Sequence, residues 1–248
     1  MSHNQPVEIL EGAFVISDAH YSKQRPELLS LIKDIHSKKL QPTQLLLMGD
    51  IFDALFGDVK RTQEINSEII RLLNEISKEI ELIYLEGNHD FNLSAIFPNA
   101  KVFSYREQPV SCSFQNSKVL LAHGDFDVSL SYRLYTSLIR NPFILFLLES
   151  IDTLTNHFIL KKLDEFLAKK DDCKEFKGFE EFVLKRGLER YECDSFIEGH
   201  FHQNRAFEFD KFHYINLAAF ACNQRYFIVK SLNNKVVLYE ENSQKENK

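Results

Sequence analysis

Five short apolar runs in this chain each stop at aspartate, asparagine or histidine, and that recurrence limits the fold more than any other feature. AFVIS (13–17) leads into Asp18 and His20, and LLLMG (45–49) into Asp50, with Asp53 beyond it. LIYLEG (82–87) leads into Asn88, His89 and Asp90. KVLLA (118–122) runs into His123 and Asp125, and SFIEG (195–199) into His200 and His202. Apolar runs of this length, bounded by glycine and polar residues, read as buried strands. Between the first three lie amphipathic stretches. Leu28, Leu29, Leu31, Ile32 and Ile35 predict a helix over 27–39; Ile65, Ile69, Leu72, Leu73 and Ile76 predict one over 62–80. A β-α-β-α-β start implies parallel pairing with right-handed crossovers. Ligands of open α/β sheets bind beyond the carboxyl ends of the strands, so five polar strand ends are expected to meet at one site.

The rest of the chain completes an α/β reading. RAFEF, FHYINLA, RYFIV and KVVLY (between 205 and 239) are strand-like and close together, as in an antiparallel section. Residues about 129–190 carry helical pattern and no strand, which predicts a helical cap inserted into a single domain spanning 1–248. Pro142 should break the first cap helix or open the next. ENSQKENK at the end reads as a disordered tail. Hydrophobic residues make up 44% of the chain, enough for a sizeable core, with 22 Phe and no Trp supplying its aromatic bulk.

The ligand types narrow the chemistry. Asp, Asn and His without Cys suit Mn²⁺, with Fe or Zn²⁺ as alternatives. Seven candidate ligands, Asp18, His20, Asp50, Asn88, His123, His200 and His202, exceed what one ion needs. Two divalent ions sharing a carboxylate would use them, and Asp50 is the natural bridge. Such a site stays net positive in an acidic protein, attracts a phosphate group and acidifies a bound water. His89 is then placed to protonate a leaving oxygen, with Asp90 either charging its imidazole or serving as a loop hydrogen-bonder. Gly87 is expected to permit a sharp turn out of the strand. His36 and His157 read as solvated helix residues.

In series, SDAH (17–20), GDIFD (49–53), GNHD (87–90), AHGD (122–125) and GHFH (199–202) resemble the calcineurin-like metallophosphoesterase superfamily over about residues 13–240. The resemblance implies a four-layer α/β/β/α sandwich and a dinuclear centre. One metal would take Asp18, His20, Asp50 and His202, the other Asp50, Asn88, His123 and His200, and His89 would contact phosphate and donate a proton. SYRLYTSLIRNPFILFLL after AHGD is similar to the cap of the UDP-2,3-diacylglucosamine diphosphatase family, where a cap in this position holds acyl chains. That family carries Arg where this chain has His89, and a Cys with paired Asp where it has FDVSLSY. The resemblance implies a UDP-linked glycolipid as substrate and UMP as a product. A soluble phosphomonoesterase or phosphodiesterase acting on small esters is the alternative. Arg133, Lys161 and Lys162 are candidate substrate contacts, and a cap with basic residues beside an apolar face suits the cytoplasmic face of an inner membrane.

Other classes are disfavoured. A net charge of −6 argues against nucleic-acid binding through a basic surface. Cys112, Cys173, Cys193 and Cys222 form no CxxC pair and MSHNQPVEIL carries no leader pattern, so a cytoplasmic protein with reduced thiols is expected. No run approaches the ~18 apolar residues of a membrane span. Nothing in the sequence selects an oligomeric state.

Overall fold

A computed structural model of the protein describes residues 7–127, 130–233 and 235–243, with only the backbone of Leu130 and Arg133. Two six-stranded sheets face each other. In the first, Phe14–Ile16, Gln44–Leu47, Glu81–Leu85 and Lys101–Phe103 are parallel neighbours. The antiparallel pair Arg225–Leu232 and Lys235–Asn242 extends it beyond Phe14–Ile16. In the second, Ser117–Ala122, Ser195–Glu198 and His213–Asn216 run parallel, flanked by antiparallel Val110–Phe114 and Arg205–Glu208. Val7–Glu8 completes its edge beside Val110–Phe114.

Alternation along each strand explains the layering. Phe14, Ile16, Leu45, Leu47, Leu82 and Tyr84 pack under the helices Glu27–His36 and Ser67–Ile76. Val15, Leu46, Ile83 and Leu85 point the other way, against Val119, Leu121, Ile197 and Ile215 of the second sheet. Leu120, Ala122, Phe196 and Tyr214 turn outward under the helix Phe179–Lys185. Both faces of each sheet are therefore buried, which is why the strands read as nearly continuous apolar runs. The outcome is the α/β/β/α sandwich that the resemblance implied.

Several elements differ from expectation. The 62–80 helix is two, Lys60–Ile65 and Ser67–Ile76, broken at Asn66, whose side chain donates to the carbonyls of Ala54 and Thr62 instead of facing solvent. The closing strands are not one antiparallel section, because one pair finishes each sheet. A two-stranded parallel sheet, Leu55–Phe56 with Asp90–Phe91, was not foreseen, since each piece has only two residues. Glu241 and Asn242 of the expected tail complete a strand, and 244–248 lie outside the described residues.

Between Ser117–Ala122 and Ser195–Glu198 lie the helices Leu130–Ile139, Pro142–Leu154, Phe158–Leu167 and Phe179–Lys185. Pro142 opens the second of these, with Asn141 Oδ1 accepting from the backbone N–H of Phe143 at 3.0 Å and Ile144 at 3.3 Å. No single helix among the described residues is long and apolar enough to cross a membrane; Pro142–Leu154 and Phe158–Leu167 reach that composition together but are bent by 102°. The expectation of reduced thiols fails for one pair. Cys173 and Cys222 form a disulfide with Cα atoms 5.6 Å apart. They stand 49 residues apart, so no local spacing could announce it. Cys112 and Cys193 are free.

Candidate metal centre

The carboxyl ends of the central strands deliver all seven candidate ligands to one edge of the sandwich. Asp18, His20, Asp50, His200 and His202 all have positive φ, between 45° and 64°. Non-glycine residues rarely adopt this conformation, which costs roughly 1–3 kcal/mol each and concentrates where side chains must be aimed at a site. The neighbouring glycines serve close approach. A Cβ on Gly49 would sit 2.5 Å from His123 Nδ1, and one on Gly87 would collide with the Asp50 carboxylate. Gly87 has no positive φ, so it provides clearance and not the sharp turn expected of it.

Two groups form. Asp18 Oδ1 lies 3.0 Å from His202 Nε2, and His20 belongs to the same group. Around His123 Nε2 lie His200 Nδ1 at 3.2 Å, Asn88 Oδ1 at 3.3 Å and Asp50 Oδ2 at 3.4 Å. Asp50 also lies within reach of His20 and His89, which places it between the two groups. Two imidazoles are oriented by partners at Nδ1, leaving Nε2 toward the centre. His123 donates to the Met48 carbonyl at 3.0 Å and His202 to the Asp172 carbonyl at 2.5 Å. Such outer partners are the usual means of aiming a histidine ligand.

The electrostatics suit cations. Burial opposes ionisation of Asp18, but His202 beside it holds the carboxyl down at about 2. Burial likewise opposes ionisation of Asp50, while His123 and His89 hold it well below the usual carboxylate range. Burial, then the charge of His123, pulls His200 down to about 4, so it is a neutral imidazole with a free lone pair at pH 7. Both ring nitrogens of His20, Nδ1 and Nε2, are buried with no hydrogen-bond partner in the protein. A buried orphan nitrogen is costly, and a cation placed among Asp18, His20 and His202 satisfies it. The residues present therefore fit a pair of divalent ions.

His89 belongs to this site. Its backbone N–H donates to Asp50 Oδ1 at 2.8 Å, its Nδ1 donates to the Asp53 carbonyl at 2.9 Å, and its ring meets His20 edge-on at 4.9 Å between centroids. Asp90 does not charge the His89 imidazole. It points back into the core and accepts from the N–H groups of Asp50, Ile51, Phe52 and Gly87 and from the Tyr84 hydroxyl. Burial and the neighbouring charge of Asp50 push it up to about 7. His89 lies in the bend before the short strand that Asp90 opens, and the cluster of N–H donors draws the Asp90 carboxylate away from the imidazole.

Beyond Asn88, His89 and Asp53 the centre opens into a cavity of about 370 Å³ under the cap, walled by Phe56, Phe91, Ile139, Leu145, Leu163 and other apolar side chains. Lys161 and Lys162 do not reach it. They are exposed, donating to the Asn156 carbonyl and pairing with Glu165 respectively, because they fall on the outer face of Phe158–Leu167. The Arg133 side chain lies outside the described residues.

A family model described as calcineurin-like phosphoesterase matches residues 13–204. The chain belongs to this metallophosphoesterase family. It is 28% identical over 198 residues to a UDP-2,3-diacylglucosamine hydrolase of Pseudomonas fluorescens, a match covering 76% of this chain and 78% of that one. A second relative of that name, from another strain of the species, is 29% identical over 60% of this chain, and the match spans only 61% of the relative's length. Among solved structures, a dimetal phosphatase from Danio rerio aligns over 95% of this chain and 96% of its own, at 15% identity and a TM-score of 0.47.

The metallophosphoesterase motifs were legible in the sequence, but some residues around them were not. Arg140 is buried, donates to the Gly87 carbonyl at 2.7 Å, lies 3.5 Å from Asp125 and stacks 4.1 Å from the Tyr105 ring. Arg25 reaches Asp172 at 2.6 Å and Asp53 at 3.8 Å. Both arginines are remote in sequence from what they touch. Arg140 stood out in the sequence only as a basic residue beside the apolar stretch 143–160, and Arg25 gave no signal.

Proposed function

We propose that this metallophosphoesterase hydrolyses the diphosphate of a UDP-linked diacylglucosamine, giving UMP and the diacylglucosamine 1-phosphate. The observation that carries this reading is the apolar cavity opening directly on Asn88 and His89. A polar phosphate-hydrolysing centre joined to an apolar chamber suits a substrate with a charged diphosphate and acyl chains. The names of the Pseudomonas relatives point the same way.

In this reading Asp18, His20, Asp50 and His202 hold one ion, and Asp50, Asn88, His123 and His200 the other. Bound there, the pair would acidify a water and polarise phosphoryl oxygens. The carboxylate, amide and imidazole donors suit Mn²⁺, with Fe or Zn²⁺ also compatible. As the water oxygen bonds to phosphorus and the bridging P–O bond breaks, His89 would meet the leaving oxygen with Nε2, its ring held by the Asp53 carbonyl. Asp90 shapes the loop that aims Asp50 and His89. The Arg140 guanidinium pins the loop carrying Asn88 to the cap.

The cap also suits an inner-membrane surface. Phe143, Phe146, Leu154 and Phe166 are at least 60% exposed, and Lys161 and Lys162 lie on the same helical hairpin. Clustered exposed apolar side chains of this size mark interaction surfaces.

The test is a paired assay on chelator-stripped protein reloaded with Mn²⁺. UMP release from UDP-2,3-diacylglucosamine in detergent, with little turnover of a soluble aryl phosphate, is the expected result. The reverse preference would favour the second reading, a phosphoesterase of small esters, which His89 in place of arginine supports.

A further inference from the structure

The linker that leaves the cap, residues 172–176, touches the metal centre on one side only. The Asp172 carbonyl accepts from His202 Nδ1. The Asp172 carboxylate takes Arg25, which also approaches Asp53, the partner of His20. The linker is laid along the turn after His202, because Gln203 accepts from the Phe176 N–H at 2.7 Å and donates to the Lys174 carbonyl at 3.2 Å. Of the imidazoles in the first ion's group, His202 is thus oriented through Asp172. In the second group His123 is held away from this linker, by Met48 and by Gln108, while the His200 backbone N–H donates to the Asp18 carboxylate at 3.0 Å.

Cys173 is the next residue, and its disulfide runs to Cys222. Cys222 lies in the short helix Phe220–Asn223, which rests on the Asp18 loop. Phe220 N–H donates to the Ser17 carbonyl at 2.9 Å and Ala221 N–H to the Asp18 carbonyl at 3.1 Å. The crosslink therefore joins the loop bearing Asp18 to the carbonyl that aims His202. Cys173 is exposed and Cys222 half-buried, so a small thiol can reach the bond.

We propose that the Cys173–Cys222 disulfide is a redox-sensitive latch that holds the first metal position closed while leaving the second unaffected. This rests on the assignment of Asp18, His20 and His202 to one ion of a pair. Opening the latch moves two electrons and two protons from a dithiol to the Cys173–Cys222 bond, leaving two protein thiols and the dithiol as a cyclic disulfide. The linker then keeps its noncovalent contacts, among them Arg25 and Lys170 with Asp172, Arg205 with Glu175 and Gln203 with Phe176, and the carbonyl behind His202 loses its covalent clamp. Losing an outer partner of a metal-bound histidine weakens affinity about 10- to 100-fold.

The experiment uses the full chain loaded with two equivalents of Mn²⁺ and challenged with EDTA, with retained metal read by mass spectrometry after rapid desalting. Three forms are compared: oxidised protein, protein opened with dithiothreitol that is removed anaerobically before loading, and Cys222→Ser. Thiol counts verify each state, and circular dichroism verifies folding. One equivalent should leave the opened and Cys222→Ser forms about tenfold faster or more than it leaves the oxidised form, with the other unchanged. Equal release from all three forms, or equal acceleration of both ions, overturns the latch. If Cys222→Ser fails to fold, the opened wild-type protein decides. Should the oxidised protein not take up two equivalents at all, the dinuclear reading falls and the latch with it.

Discussion

His89 is held by a carbonyl and not by a carboxylate. Donation from Nδ1 to the Asp53 carbonyl fixes the ring and leaves Nε2 unpaired by it, so that in the proposed role the doubly protonated ring would give up its Nε2 proton. His89→Ala is expected to lower kcat by about 10²- to 10⁴-fold, the usual worth of a positioned proton donor, while bound metal stays at the wild-type level. Equal loss of metal and activity would make the residue structural. Asp90 is the opposite case. Its carboxylate gathers four backbone N–H groups and one hydroxyl. Asn at this position accepts through one oxygen and sets its amide hydrogens against donors. Asp90→Asn should therefore cost about 1–3 kcal/mol or more in denaturant unfolding of the metal-free protein. The seven candidate ligands could be read directly because each follows an apolar run. Asp90 was open to misreading because it adjoins His89 in sequence, while its carboxylate is drawn to the N–H groups of Asp50, Ile51 and Phe52, which are remote in sequence.

At the scale of elements, the two-residue strands Leu55–Phe56 and Asp90–Phe91 bring the GDIFD and GNHD loops together, with Leu55 N–H donating to the His89 carbonyl at 3.1 Å. The cap then roofs this junction. Asn92 donates to the Arg140 carbonyl at 2.9 Å, and Arg140 returns to Gly87. Leu163 is half-buried in the cavity wall, so a charge there changes the chamber without emptying the core. Leu163→Glu should raise KM for a diacylated substrate about tenfold or more, from the ~1.5–3 kcal/mol of burying such a side chain, and leave turnover of a soluble aryl ester near wild type. Parallel losses on both substrates would remove the cavity from the acyl-binding role. Helical pattern announced the cap. Which of its faces lines the cavity was not legible, because Phe, Leu and Ile occur all round Pro142–Leu154.

For the whole molecule, ligands from both sheets meet at one end, so metal binding should tie the sandwich together. Removing the ions with a chelator is expected to lower Tm, with a loss of about 2.7 kcal/mol per ion relative to protein held at a hundredfold excess of free metal over Kd. An unchanged Tm would argue that the loops are fully organised without metal. The exposed cap face leads to a second measurement at this scale. Co-sedimentation with anionic vesicles should drop when Phe146 and Leu154 are both replaced by Ser, with turnover of a soluble ester intact. Vesicle binding that ignores the double change would move the membrane contact off the cap.

The residues themselves determined the α/β class, the parallel pairing of the first strands and the polar ends that become the candidate metal centre. Those features rest on local periodicity and on which residue follows a strand, and both are written along the chain. Only the tertiary structure decided that Asp172 aims His202, that Arg25 and Arg140 clamp the loops, that Lys161 and Lys162 face solvent, and that Cys173 meets Cys222. The contacts among these join residues whose separation in sequence carries no periodic signal. Their closeness is set by how two sheets and a cap pack, a property of the whole buried interface and not of any segment in it.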